Sequence, residues 1–202
     1  MRPLEGPPVT RLGLRIQHEE ALPCVELLLP LPSGIPLLIV GLKALEYRGY
    51  DSSGAAVLDR SAIHRVRATG KVREMEALYM ADPFPGSTGI AHTRWATHGV
   101  PNEANAHPHV AGRVAIAHNG IIENHVGLRA ELQARGHIFA SETDTEVMAA
   151  LIDERLGQGM KLREAVLATV RDLEGTYAIA VVSRDEPDRV VGARATISTR
   201  LT

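Results

Sequence analysis

The sequence predicts an α+β domain, and three observations carry that expectation. Short apolar segments of strand character, each bounded by Gly, Pro, Asp or Asn, fall between residues 55 and 118 and again between 176 and 193. Segments with helical spacing and helix-start chemistry lie between those two groups. Strands, then helices, then strands is not the regular alternation of a parallel βαβ sheet.

Residues 1–36 are rich in proline and hold neither a helical nor a strand period for long, so they are set apart as an atypical leader. The apolar residues of 37–45 predict the start of a buried helix, followed by a turn at 47–54 and a strand at 55–58. Further strands are expected at 63–67, 89–94, 114–118, 176–182 and 189–193. A helix at 124–135 has Val126, Leu128 and Leu132 as its apolar positions and Gly136 as its stop. Ser141, Glu142, Thr143 and Asp144 open a second helix that runs through Leu156, and a third spans 162–173.

The bulk composition narrows the function classes. With 202 residues, 45% hydrophobic and 23% charged, the chain can bury a stable core as one domain plus an appendage, and is neither collagen-like nor disordered. A net charge of -2 provides no global field for nucleic acid or an anionic membrane, so neither is an expected partner. Cys24 is the single cysteine, which excludes an internal disulfide framework or thiolate-rich zinc site and fits a cytoplasmic setting. Pro30, Pro32, Gly34, Pro36 and Lys43 interrupt the most apolar stretch, so it is neither a membrane span nor a secretory signal.

Three segments carry chemistry. In the first, residues 89–99, a strand delivers Arg94 to a Gly- and Pro-bounded loop, where its planar guanidinium can meet a carboxylate with two parallel hydrogen bonds. The alternative is a surface ion pair for Arg94 and a core position for Trp95. In the second, an apolar strand runs into Asn119-Gly120, a dipeptide that on its own marks a turn. The same pair supplies an amide and a backbone N–H suited to an oxyanion. In the third, acidic residues favoured by the helix dipole include Asp144, which can instead hold an ammonium. Together, Arg94, Asp144, Asn119 and Gly120 describe a site that grips an α-amino acid and polarises its side-chain amide.

These segments resemble the class II glutamine amidotransferases, in particular the branch that makes glucosamine 6-phosphate. Residues 45–54, Leu-Glu-Tyr-Arg-Gly-Tyr-Asp-Ser-Ser-Gly, look like that branch's signature, and residues 92–109, 118–124 and 141–146 follow in family order. The likeness covers about 37–194, which is identified as a partial amidotransferase domain; 195–202 is a divergent tail. The resemblance implies a fold of N-terminal-nucleophile hydrolase type, four-layer αββα with two antiparallel sheets. It also implies that Arg94 binds the glutamine carboxylate, Asp144 its ammonium, and Asn119 with Gly120 the oxyanion. Trp95, Thr97 and His98 would line the pocket, with Trp95 in a mobile loop, and Arg48 would support it. L-glutamine is the implied substrate, and the resemblance calls for no cofactor and no metal. Fructose 6-phosphate would be met only through isomerase domains, which this sequence does not contain.

The family's nucleophile is a cysteine exposed after Met removal, with its own α-amino group as base. This chain begins Met1-Arg2-Pro3, has no Cys-Gly-Ile, and follows Cys24 with Val25-Glu26. The first strand is therefore expected to be missing or altered, Cys24 to serve as nucleophile only after processing, and glutaminase activity to be impaired. A non-catalytic glutamine-binding or regulatory module is the rival from another class. A metal hydrolase is the rival enzyme, on His107-Pro108-His109 and the histidines of 92–98, although their spacing matches no zinc motif.

Overall fold

The structure is a computed structural model, and it describes residues 34–48, 50–60, 62–95, 100 and 102–195. Its elements run α1 (Gly34–Lys43), a short 3-10 turn (Glu46–Arg48), β1 (Ser52–Asp59), β2 (Ala62–Thr69), α2 (Val72–Ala81), β3 (Thr88–Arg94), β4 (His109–Ala111), β5 (Val114–Ile122), α3 (His125–Ala134), α4 (Asp144–Gly157), α5 (Leu162–Arg171), β6 (Gly175–Ser183) and β7 (Val190–Ala195). The expectation that the first strand is missing or altered falls on residues 1–33, outside the described residues.

The strands form two antiparallel sheets, in the orders β2-β1-β3 and β4-β5-β6-β7. Alternation along each strand assigns one face to a helix layer and the other to the opposite sheet. On β1, Ala55 and Val57 pack with Leu38 and Leu42 of α1 and Met75 of α2. Their neighbours Ala56 and Leu58 meet Ile90 of β3 and Ala115, Ala117, Ala180 and Val182 of the second sheet. Val114, Ile116 and Ile122 of β5 face Met148 and Ile152 of α4 and Leu162 of α5. The result is the α+β, four-layer αββα arrangement. With both faces covered, β5 and β6 read in sequence as apolar runs rather than as alternation.

Helix α4 is the most deeply buried helix-forming segment, with Val147, Met148, Ala149 and Ile152 fully enclosed. Each large apolar side chain buried in this way contributes roughly 1.5–3 kcal/mol. Its N-terminus is Asp144, later than the sequence predicts, because Thr143 is the N-cap and its hydroxyl accepts from the Glu146 N–H at 3.3 Å.

Helix α2 was not among the expected elements. Its N-cap position, Lys71, makes no side-chain cap, and the Val72 N–H instead donates to Glu46 Oε1 at 3.0 Å and Tyr50 Oη at 3.2 Å. A start signal supplied by distant residues leaves no local signature. The three-residue β4 was equally silent.

The turn reading of Asn119-Gly120 is overturned. Both residues lie inside β5, which continues to Ile122 in unbroken register with β6, Asn119 opposite Ala178 and Gly120 opposite Tyr177. Gly120 adopts φ +124°, and a Cβ there would stand 2.0 Å from the Thr176 carbonyl oxygen. Glycine is needed to let β5 and β6 approach, not to reverse the chain. The variant Gly120→Ala is expected to lose about 3 kcal/mol or more of stability, combining backbone strain with a backbone clash. Urea denaturation of variant and parent measures it, and an unchanged midpoint would contradict the assignment.

Candidate functional site

Three elements converge at one end of the sheet pair. The end of β3 carries His92 and Arg94, the later part of β5 carries His118, Asn119 and Gly120, and the first turn of α4 carries Asp144, Thr145 and Glu146. His92 Nε2 lies 3.3 Å from Asn119 Oδ1, bridging the two sheets. Asp144 Oδ2 accepts the Ile122 N–H at 2.9 Å, tying α4 to the strand two residues beyond Gly120. The sequence-selected Arg94, Asn119, Gly120 and Asp144 thus lie on three elements that these two contacts tie together.

Arg94 is buried at 5% exposure, and its Nη1 lies 3.6 Å from Asp51 Oδ1. Burial lowers the guanidinium pKa, while Asp51 and Asp144 oppose that shift. Arg94 is therefore a buried cation rather than half of a surface ion pair. Trp95, immediately after it, is 60% exposed, so it does not fill the core. Arg48 closes the 3-10 turn, but its side chain lies outside the described residues, as do Thr97, His98 and Cys24.

Burial raises the Asp144 carboxyl pKa, and this is outweighed by His118 and by the Ile122 amide, which bring it to about 2. A carboxylate that stays ionised on a fixed helix terminus suits an ammonium partner.

Around this framework sits a polar layer that the sequence did not single out for this site. Asn105, 1% exposed, donates from Nδ2 to the Val100 carbonyl at 3.0 Å and to Glu142 Oε2 at 3.2 Å, and accepts the Glu142 N–H at 3.0 Å. From β2, Arg67 Nη1 donates to the carbonyls of Ala104 at 3.1 Å and Ala106 at 2.8 Å. The loop lies so close to β1 that a Cβ at Gly54 would stand 2.2 Å from the His107 carbonyl oxygen. Glu146 accepts the N–H groups of Ala140 at 2.9 Å and Ser141 at 2.7 Å, together with the Ser141 hydroxyl at 2.6 Å. Asn105 and Gly54 stand in segments already notable for motif content, which was the available signal.

His92, His107 and His109 form a buried ring cluster, His92 stacked on His107 with centroids 4.5 Å apart and His109 edge-on to His107 at 4.8 Å. Burial brings His92 to about 4 and His109 to about 3, and pushes His107 well below the ordinary histidine range. Among the described residues, no group of three or more His, Cys, Asp or Glu is arranged to hold a metal ion. No helix of the described residues is long and apolar enough to cross a membrane.

Two antiparallel sheets lie face to face between helix layers, and a buried cation, a buried anion and an Asn-Gly strand segment stand on the elements that meet there. A family model described as a glutamine amidotransferase domain matches residues 92–200, and the chain belongs to that family. It is 54% identical over 160 residues to glutamine–fructose-6-phosphate aminotransferase [isomerizing] of Gluconobacter oxydans (strain 621H), covering 79% of this chain and 26% of that one. The corresponding protein of Xylella fastidiosa (strain 9a5c) is 56% identical with the same coverage. The chain therefore spans about a quarter of the length of these curated relatives. Among solved structures, glutamine phosphoribosylpyrophosphate amidotransferase from B. subtilis, complexed with ADP and GMP, aligns with a TM-score of 0.66 at 26% identity. That alignment covers 78% of this chain and 34% of the other. The fold is thus shared with an amidotransferase of different name, whereas sequence identity is about twice as high to the aminotransferases.

The buried histidine cluster makes stability pH-dependent with a definite sign. An unfolded histidine takes up its proton near pH 6.5, whereas His92 and His109 do so in the folded chain only near 4 and 3. Between those limits the unfolded chain binds more protons, so stability falls as pH drops from 6.5, by up to about 1.4 kcal/mol per pH unit for each histidine. The lowered Asp144 pKa acts in a separate window, below about 4. Denaturant midpoints are expected to fall between pH 7 and pH 5, with a shallower slope for His109→Gln. Equal stability at both pH values would contradict the buried, neutral assignment.

Proposed function

We propose that this chain is a glutaminase unit that binds L-glutamine and hydrolyses its side-chain amide to glutamate and ammonia. It would be the ammonia-supplying part of an enzyme of the glutamine–fructose-6-phosphate aminotransferase kind, with fructose 6-phosphate handled by isomerase domains outside this chain. The observation that carries the reading is the joint placement of Arg94, Asp144 and Asn119-Gly120 on mutually hydrogen-bonded elements.

In this reading Arg94 holds the α-carboxylate and Asp144 the α-ammonium. Asn119 and the Gly120 N–H stabilise the oxyanion that forms when the amide carbon is attacked. Two features of β5 support the last role. Strand β4 pairs with β5 only over Val114–Ile116, and the Ile122 N–H leaves the sheet to reach Asp144. Two-residue alternation places the Gly120 N–H on the same edge. With Asn119 Oδ1 facing His92 Nε2, the side-chain NH2 is left to donate elsewhere.

The attacking group would be Cys24, provided processing makes it the first residue. Within the chain its backbone nitrogen is an amide and cannot act as the base, and hydrolysis is impaired. A glutamine-binding module without turnover is the reading favoured by Val25-Glu26 after Cys24, where the family pattern has Gly-Ile. Mass spectrometry of the mature N-terminus together with glutamate release, for the chain and for Cys24→Ala, separates the two.

Glutamine affinity measured by calorimetry is expected to weaken about 10-fold or more for Arg94→Lys and for Asp144→Asn. Lysine keeps the charge without the two-pronged contact, and asparagine removes the anion. Unchanged affinity in both variants would remove the pocket assignment. In a preparation that turns glutamine over, Asn119→Ala should lower turnover by about 10²–10³ with a much smaller change in affinity. Equal turnover would take Asn119 out of the mechanism.

A further inference from the structure

The first turn of α4 contains a hydroxyl whose hydrogen bonds can be counted completely. Thr145 is fully buried, and its Oγ1 lies 2.8 Å from His107 Nε2, 3.0 Å from His118 Nδ1 and 3.3 Å from Asp144 Oδ1. A hydroxyl has one proton and two lone pairs. An ionised carboxylate only accepts, so the Thr145 proton goes to Asp144. The two lone pairs must then each receive an imidazole N–H.

That accounting fixes both rings. His107 carries its proton on Nε2 and His118 on Nδ1. The opposite nitrogens, His107 Nδ1 and His118 Nε2, are the ones buried without a hydrogen-bond partner. Under this assignment both are bare lone pairs. The other tautomers would bury orphaned N–H donors, a far rarer and costlier state. The distances and the unpartnered atoms thus agree on one proton arrangement.

We propose that Thr145 is the positioning residue for Asp144, its hydroxyl collecting the N–H groups of His107 and His118 and passing its own proton to the carboxylate that receives the substrate ammonium. This inference rests on the reading of Asp144 as the ammonium site. The carboxylate is held on both oxygens, Oδ2 by the Ile122 N–H and Oδ1 by Thr145, with His118 Nδ1 3.7 Å away. Its remaining lone pairs are left for a charged ligand. Removing the hydroxyl strands two imidazole N–H groups in the interior and frees Asp144 Oδ1 to turn toward one of them.

The test uses the whole chain in four forms: parent, Thr145→Ser, Thr145→Val and Asp144→Asn. Nitrogen-15 NMR of the histidine rings reads the tautomers, and calorimetry with L-glutamine reads binding. The parent should show His107 protonated at Nε2 and His118 at Nδ1; the opposite tautomer at either ring overturns the proposal whatever the variants do. Thr145→Ser should keep both tautomers and most of the affinity, whereas Thr145→Val, of the same shape, should change at least one tautomer and weaken glutamine about 10-fold. Parent-like affinity in Thr145→Val, or failure of serine to rescue, overturns the proposal. Parent-like affinity in Asp144→Asn, or no binding by the parent, instead overturns the assignment of Asp144 on which it rests.

Discussion

The side chains Thr143, Asp144, Thr145 and Glu146 at the start of α4 are all buried, and a polar group taken out of water is costly unless hydrogen bonded. Meeting that requirement organises the surrounding site. Glu146 pulls in residues 140 and 141, Asp144 reaches the end of β5, Thr145 collects two histidines, and Thr143 meets His109 Nε2 at 3.1 Å. One helical turn thereby fixes its approach loop, the later half of β5 and the 102–109 loop. The apolar body of α4, packed on β5 and α5, supplies the anchor from which these bonds act.

The same arrangement explains how a buried cation and a buried anion coexist here. Arg94 has Asp51 beside it, and the Asp51 N–H donates to the Arg94 carbonyl at 2.9 Å, so backbone and side chain are held together. Asp144 is compensated by an amide and a hydroxyl. Neither group depends wholly on a ligand to offset its desolvation, so the arrangement can stand without one. Preorganisation of this kind limits the reorganisation required on binding.

Much of the fold was legible because short apolar runs and helix starts keep recognisable boundaries even where burial on both sides erases alternation. The alternation of Ala55, Ala56, Val57 and Leu58 is lost in hydropathy but kept in its boundaries, and the helix at 124–135 ends where Gly136 says it should. Helix α2 escaped because its cap comes from Glu46 and Tyr50, and β5 was cut short because Asn-Gly usually turns the chain. In the site, Arg94, Asp144, Asn119 and Gly120 were legible as residue types with chemistry. Thr145, Asn105 and Arg67 were not. Their importance lies in partners up to 39 positions away, a relation that spacing along the chain does not encode.

The position of Gly120 joins these levels. Its positive φ lets β5 pass close to β6, and the pairing that follows carries the strand to Ile122. Ile122 then donates to Asp144, so the backbone that presents the Asn-Gly segment also holds the carboxylate. His92, reaching across from β3 to Asn119, connects the strand that bears Arg94. An error in any one of these contacts would shift charge and amide donors relative to one another, and small misplacements are costly where reacting groups must be aligned. The glycine therefore acts on the chemistry through distance, by setting how near the anion stands to the strand that would bind the oxyanion.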